Sequence, residues 1–115
     1  MARAKHKKVL TGEEILSLLR EHQDVLKKYE VKKIGLFGSY VRKEQKRGSD
    51  IDLIVEFDRT AFDINLTGYF DNFMSLSSYL ENLFGEKVDI LTPISIETIR
   101  IKEVADEIKR SVIYV

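Results

Sequence analysis

Three carboxylates and a glycine–serine pair are the residues of this sequence whose types and spacing could do chemistry. Asp50 and Asp52 occupy alternate positions of the apolar run "DIDLIVEF" (residues 50–57), and Asp89 interrupts a second apolar run, "KVDIL". Alternate side chains of a strand share a face, so Asp50 and Asp52 point together while Ile51, Leu53 and Val55 take the other side. Two like charges side by side raise each other's energy and require a shared proton, basic partners or a divalent cation. The plainer alternative has Asp50 capping the strand entrance at a solvent edge and Asp52 paired with a lysine. Asp89 favours the cation. Three carboxylates on adjacent strands supply the hard oxygens that suit Mg²⁺. Two such ions can orient a triphosphate, polarise the attacked phosphorus and neutralise departing pyrophosphate.

Gly38 and Ser39 follow the run "VKKIGLF" and precede a short helical stretch with Tyr40, Val41 and Arg42. Free amides at a helix start attract anions, glycine permits close approach and a serine hydroxyl adds a donor, so a phosphate cradle fits this junction. Ordinary turn chemistry fits it as well. A cradle beside a carboxylate metal site would join two weak signals into one.

The elements that must position these groups follow from spacing. Thr11 and Glu14 have capping-box spacing, and Ile15, Leu18, Leu19, His22, Val25 and Leu26 recur at helical intervals up to Lys28. Residues 31–37 and 50–57 read as two strands that pair. Leu66 to Phe84 carries Leu66, Tyr69, Phe70, Phe73, Leu76, Leu80 and Leu83 on one face, with Gly85 as its C-terminal glycine. Tyr69, Phe70, Phe73 and Tyr79 are read mostly as core. Residues 86–91 read as a third strand ended by Pro93, Ser95 to Arg110 as a helix, and "VIYV" as a final strand. The expected fold is a single α/β (α+β) domain over residues 1–115, with a small mixed sheet of three to four strands and about three main helices.

Composition narrows the function. The 115 residues are 43% apolar and suit one core, and 19 basic against 19 acidic side chains give no general signature of a nucleic-acid binder. Arg3, Lys5, Lys7 and Lys8 read as a basic flexible tail over residues 1–10. There is no cysteine, no apolar run of spanning length and no secretory signal, which makes the cytoplasm the expected location. His6 and His22 form neither a zinc pattern nor a Ser/His/Asp set and are read as surface or structural.

The run "GSYVRKEQKRGSDIDL" (residues 38–53) has the pattern Gly-Ser-x2-Arg-x6-Ser-Asp-x-Asp-Leu. It resembles the DNA polymerase β-like nucleotidyltransferase superfamily, and the short chain resembles its minimal nucleotidyltransferase branch. Gly38, Ser39, Arg42, Ser49, Asp50, Asp52 and Leu53 fall in register, and Asp89 lies where that family's third acid follows a long helix and a short strand. The resemblance implies transfer of a nucleoside monophosphate, most often AMP from Mg-ATP, to a hydroxyl with release of pyrophosphate. It places Gly38 and Ser39 on the triphosphate, Asp50 and Asp52 on two Mg²⁺ ions, and Asp89 at both the metals and the acceptor. Arg42 and Ser49 join the nucleotide-binding set. Arg42 is open to three roles, on phosphate, on an acid of the site or in a surface salt bridge, and Ser49 is expected to shape the strand entrance through backbone bonds. Proteins of this size in the branch resemble antitoxins whose partner is a HEPN-domain ribonuclease toxin, neutralised by AMP placed on a tyrosine. Neutralisation by binding alone, or transfer to RNA or a small molecule, are the rival functions.

Overall fold

Strands β1 (Val31–Phe37) and β2 (Ile51–Phe57) are the spine of the molecule, seen in a computed structural model that describes residues 9–115. They run antiparallel, with Phe37 opposite Asp52 and Leu36 opposite Leu53. β3 (Val88–Leu91) lies parallel to β2 and β4 (Ile113–Tyr114) antiparallel to β1, giving the order β3-β2-β1-β4. The mixed four-stranded sheet and its helices match the expected α+β class.

Strand parity sorts the apolar residues between two faces. Ile34 and Leu36 of β1 and Ile51, Leu53, Val55 and Phe57 of β2 join Ile15, Leu19 and Leu26 and the long helix's Leu76, Leu80 and Phe84 in one cluster. Phe37 and Ile54 face the other way, onto Ile96 and Ala105. The single core expected from composition is therefore two layers, because β2 carries apolar residues on both faces.

The helices differ from their expected bounds where side chains compete for backbone groups. α1 (Gly12–Glu21) begins at the capping box: Thr11 Oγ1 accepts from the Glu14 amide at 3.1 Å, and Glu14 Oε1 accepts from the Thr11 amide at 2.8 Å. It breaks at His22, whose Nδ1 donates to the Leu18 carbonyl at 2.7 Å, and the chain resumes as α2 (Gln23–Lys28). Helix α4 (Tyr69–Phe84) starts later than Leu66, since Asp63 takes the amides of Asn65 and Thr67 and the Thr67 hydroxyl into a tight loop. Tyr69, Phe73 and Tyr79 pack on the core as expected, whereas Phe70 is 70% exposed.

The stretch 95–110 divides as well. α5 (Pro93–Glu97) is capped by Thr92 Oγ1, which accepts from the Ser95 amide at 3.2 Å, and Thr98 Oγ1 donates back to the Ser95 carbonyl. α6 (Lys102–Ser111) then turns Ala105 to the sheet and leaves Val104 exposed. Residues 1–8 of the expected tail, with His6, lie outside the described residues. Val9 and Leu10 are not tail: both pack on the core, and the Leu10 carbonyl accepts from Gln45 Nε2. No helix among the described residues is long and apolar enough to cross a membrane.

Gly35 admits β4 to the sheet. A Cβ there would lie 2.7 Å from Val112 Cγ2 and 2.9 Å from a Tyr114 ring carbon. Gly35→Ala is expected to lower stability by about 1–3 kcal/mol through overpacking, read by urea unfolding. An unchanged midpoint would mean that β4 is free to move aside.

Candidate active site

One backbone junction brings the site together. β1 ends at Phe37 and turns through Gly38 into α3 (Ser39–Arg42), a single helical turn. Gly38 has φ +81°, a conformation that glycine adopts at little cost, and a Cβ added there would collide with the carboxylate of Asp52. The register that sets Phe37 opposite Asp52 makes that closeness inevitable. Gly38 is also the N-cap, so no capping side chain engages the amides of the first turn. A serine or aspartate at that position would ordinarily do so. Four residues make a poor macrodipole, and any anion held here would be held by those amides and the half-buried Ser39 rather than by a long helix.

The acids meet along the strands. Asp52 lies on β2 with Phe37 and Ile54 on the α5/α6 side, and parallel pairing sets Asp89 of β3 directly beside it. Asp50 stands one residue before β2. The sequence suggests charges inside a buried strand, and the structure corrects this. Asp50 and Asp89 are exposed, Asp52 alone is partly buried, and no charged residue is buried among those described. The sheet is open at this corner. Burial, then the charges of Asp89 and Asp50, push the Asp52 carboxyl up from its ordinary 3.8 to about 6, against a smaller downward pull from Arg42.

Arg42 divides its roles as the sequence left them. Its Nε donates to Glu44 Oε1 at 2.8 Å on the surface, yet it also lines the pocket that holds Asp52. Ser49 closes the loop ahead of β2: its Oγ accepts from the Lys46 amide at 3.0 Å and its own amide donates to the Lys46 carbonyl at 2.9 Å. That is the backbone-shaping role expected of it, while its place in the nucleotide-binding set has no further support from its contacts.

Among the described residues, no three His, Cys, Asp or Glu side chains form a ready-made metal cage. Mg²⁺ seldom needs one, being held by one or two carboxylates together with substrate phosphates and water. An acid whose pKa is raised first by burial and then by two neighbouring carboxylates, one of them in strand register, gains from an added cation, so the donor set fits that ion. Over Gly38 and Asp52 lies an open pocket of about 330 Å³, walled by Arg42 and, from α6, by Glu103, Val104 and Glu107. The α6 wall is absent from the sequence reading. Glu103 and Glu107 are spaced i, i+4 on one helix face, but spacing alone does not say that this face borders the site.

The raised pKa has a thermodynamic sign. A carboxyl with a higher pKa folded than unfolded binds more protons in the native state between about pH 4 and pH 6, so its contribution weakens as pH rises through that window. Metal-free Asp52→Asn is expected to melt above the parent protein near pH 7.5, with the gap closing near pH 4. Equal melting at both values would show that neither burial nor the neighbouring charges perturb Asp52.

Comparison with known proteins places this geometry. Residues 19–115 match the model of the nucleotidyltransferase domain family. A Methanocaldococcus jannaschii protein with the provisional name protein adenylyltransferase is 44% identical over 98 residues, 84% of this chain and 93% of that one. The protein adenylyltransferase MntA of Thermococcus cleftensis is 37% identical over 108 residues, 93% of this chain and 98% of that one. Two solved structures share the fold. One, provisionally described as a minimal nucleotidyltransferase, superposes with TM-score 0.65 at 21% identity over 90% of this chain and 95% of its own. The other, from a toxin–antitoxin crystallised with AMP-PNP, gives TM-score 0.52 at 23% identity over 91% of this chain and 72% of its own.

Proposed function

The chain belongs to the nucleotidyltransferase family, and on that premise we propose that it transfers AMP from ATP to a hydroxyl of a partner protein. The partner we propose is a HEPN-domain ribonuclease toxin, the acceptor one of its tyrosines, and the outcome neutralisation, which makes this chain an antitoxin. The observation that carries the reading is the contact of Gly38 with the Asp52 carboxylate, with Asp89 in register on the next strand. The adenylyltransferase names of two relatives support AMP as the transferred group, and the toxin–antitoxin neighbour supports a toxin as the partner.

In the reaction, the acceptor oxygen attacks the α-phosphorus of ATP, the bond from that phosphorus to the bridging oxygen breaks, and pyrophosphate leaves with the negative charge. The missing side chain of Gly38 makes room for the Asp52 carboxylate beside the turn, and the amides that open α3 with the Ser39 hydroxyl hold the phosphate oxygens. Asp50 and Asp52, with Asp89 beside them, would hold Mg²⁺, which would supply positive charge against the triphosphate and the leaving pyrophosphate. Asp89 is the exposed acid next to that pair and takes the proton of the incoming hydroxyl. Arg42 adds a fixed positive charge on the Gly38 side of the pocket. Zero net charge offers no broad field for RNA, which weighs against a nucleic-acid acceptor.

The test incubates the protein with Mg-ATP and the product of its neighbouring gene and weighs the latter by mass spectrometry, expecting an added AMP. Asp50→Asn/Asp52→Asn is expected to cut transfer by about 10²–10³-fold or more while the two proteins still associate, and EDTA is expected to stop it. An unmodified partner, with metal and both folded proteins present, overturns the transfer. Neutralisation that survives the double substitution makes the protein a neutraliser by binding alone.

A further inference from the structure

The pocket above Asp52 has two chemically unlike sides. On one side stand Gly38 and the first turn of α3, suited to phosphate. On the other, α6 presents Glu103 and Glu107 to the same space, with Val104 between them. Three carboxylates therefore line the pocket, Asp52 included, against one cation, Arg42, whose Nε is already bonded to Glu44. Arg110 pairs with Glu107 at 2.8 Å, but at the exposed surface, where one such pair screens the acid only in part. A triphosphate carries several negative charges and is repelled by the α6 wall, so the nucleotide is confined to the α3 side. The α6 side is left for the second substrate. The apolar surface continues outward from it: Val104 is 46% and Ile101 61% exposed, an unusual pairing of large aliphatic groups beside acids at the mouth of a site.

We propose that the first two turns of α6 are the acceptor-docking surface, and that it takes a protein segment with a lysine or arginine next to its accepting hydroxyl. Glu103 and Glu107 pair with that basic residue, and Val104 and Ile101 pack on the aliphatic stem that carries it. The bound segment directs its hydroxyl across an open pocket of about 330 Å³ toward Asp52, which Asp89 neighbours on the next strand. Glu103 and Glu107 are thus specificity-determining residues, which select the acceptor by charge and leave the transfer step to the strand aspartates. The inference rests on the AMP-transfer reading given above and names the chemical class of its acceptor.

The test uses two synthetic peptides with a single tyrosine, one flanked by arginines and one by glutamates. Binding is followed by fluorescence anisotropy to the full chain, loaded with Mg²⁺ and an ATP analogue that cannot be cleaved between the α and β phosphates. The arginine peptide is expected to bind about tenfold tighter, the order of two partly screened charge pairs. Raising the salt from about 0.05 M to about 0.5 M shrinks that gap. Glu103→Gln/Glu107→Gln erases it without weakening the affinity for the analogue. Equal binding of the two peptides, no binding of either at millimolar concentration, or a gap untouched by the substitution overturns the proposal. So does a substitution that weakens the analogue instead, since the two acids then hold the ribose. With ATP in place of the analogue, mass spectrometry separates the two readings. A charge-dependent affinity gap without AMP on either peptide keeps the docking surface and overturns peptide transfer, whereas transfer to both peptides with equal affinity does the reverse.

Discussion

The close contact between Gly38 and Asp52 is the constraint on which the rest of this structure depends. The last residue of β1 lies opposite Asp52, so the first residue after β1 must pass over that carboxylate. Only a residue without a Cβ can do so, and the left-handed φ of Gly38 carries the chain away into α3. The same turn places the amides that open α3 beside an acid whose proton affinity is raised by burial and then by its neighbours. The turn at Gly38 and the acid at Asp52 come together at one crossing of two strands rather than from two separately built loops.

Much else serves to hold that crossing still. The buried residues of β1 and β2 lock their pairing on the α1, α2 and α4 side, where Ile15, Leu19, Leu76 and Leu80 are fully enclosed. A slip of one residue between the two strands would turn Leu53 outward and Asp52 into that cluster, which is prohibitively costly. Asp89 depends in turn on β3, whose parallel alignment brings its carboxylate level with that of Asp52. The hydrogen bond from the Val88 amide to Glu81 Oε2 ties β3 back to the last turns of α4.

What the sequence made legible, and what it concealed, follows from the range of the interactions involved. The strand runs, the capping box at Thr11 and the C-terminal glycine at position 85 are local patterns that appear in the structure, whereas Asp50 falls one residue ahead of β2 and Asp52 alone lies within it. Helix interruptions at His22, at Asp63–Gly68 and after Thr98 come from single side chains that capture backbone groups. Apolar spacing does not register such events. The exposure of Asp50 agrees with the solvent-edge alternative that the sequence leaves open, while that of Asp89 is masked by the apolar run around it. The approach of α6 to the site depends on packing between residues some fifty positions apart, for which a single sequence holds no signal.

The two faces of the sheet are unequally furnished. Fourteen buried residues make up the cluster under α1, α2 and α4, and four make up the one under α5 and α6. Local opening free energy follows the number of apolar contacts that must be broken, so the second layer can lift from the sheet well before the first yields. The Gly38 side of the site is thus rooted in the rigid layer through Tyr40, and its α6 wall in the loose one through Ala105. Such a division lets the outer wall be recut, by drift or by design, while the strand register that aligns the reacting groups stays as it is.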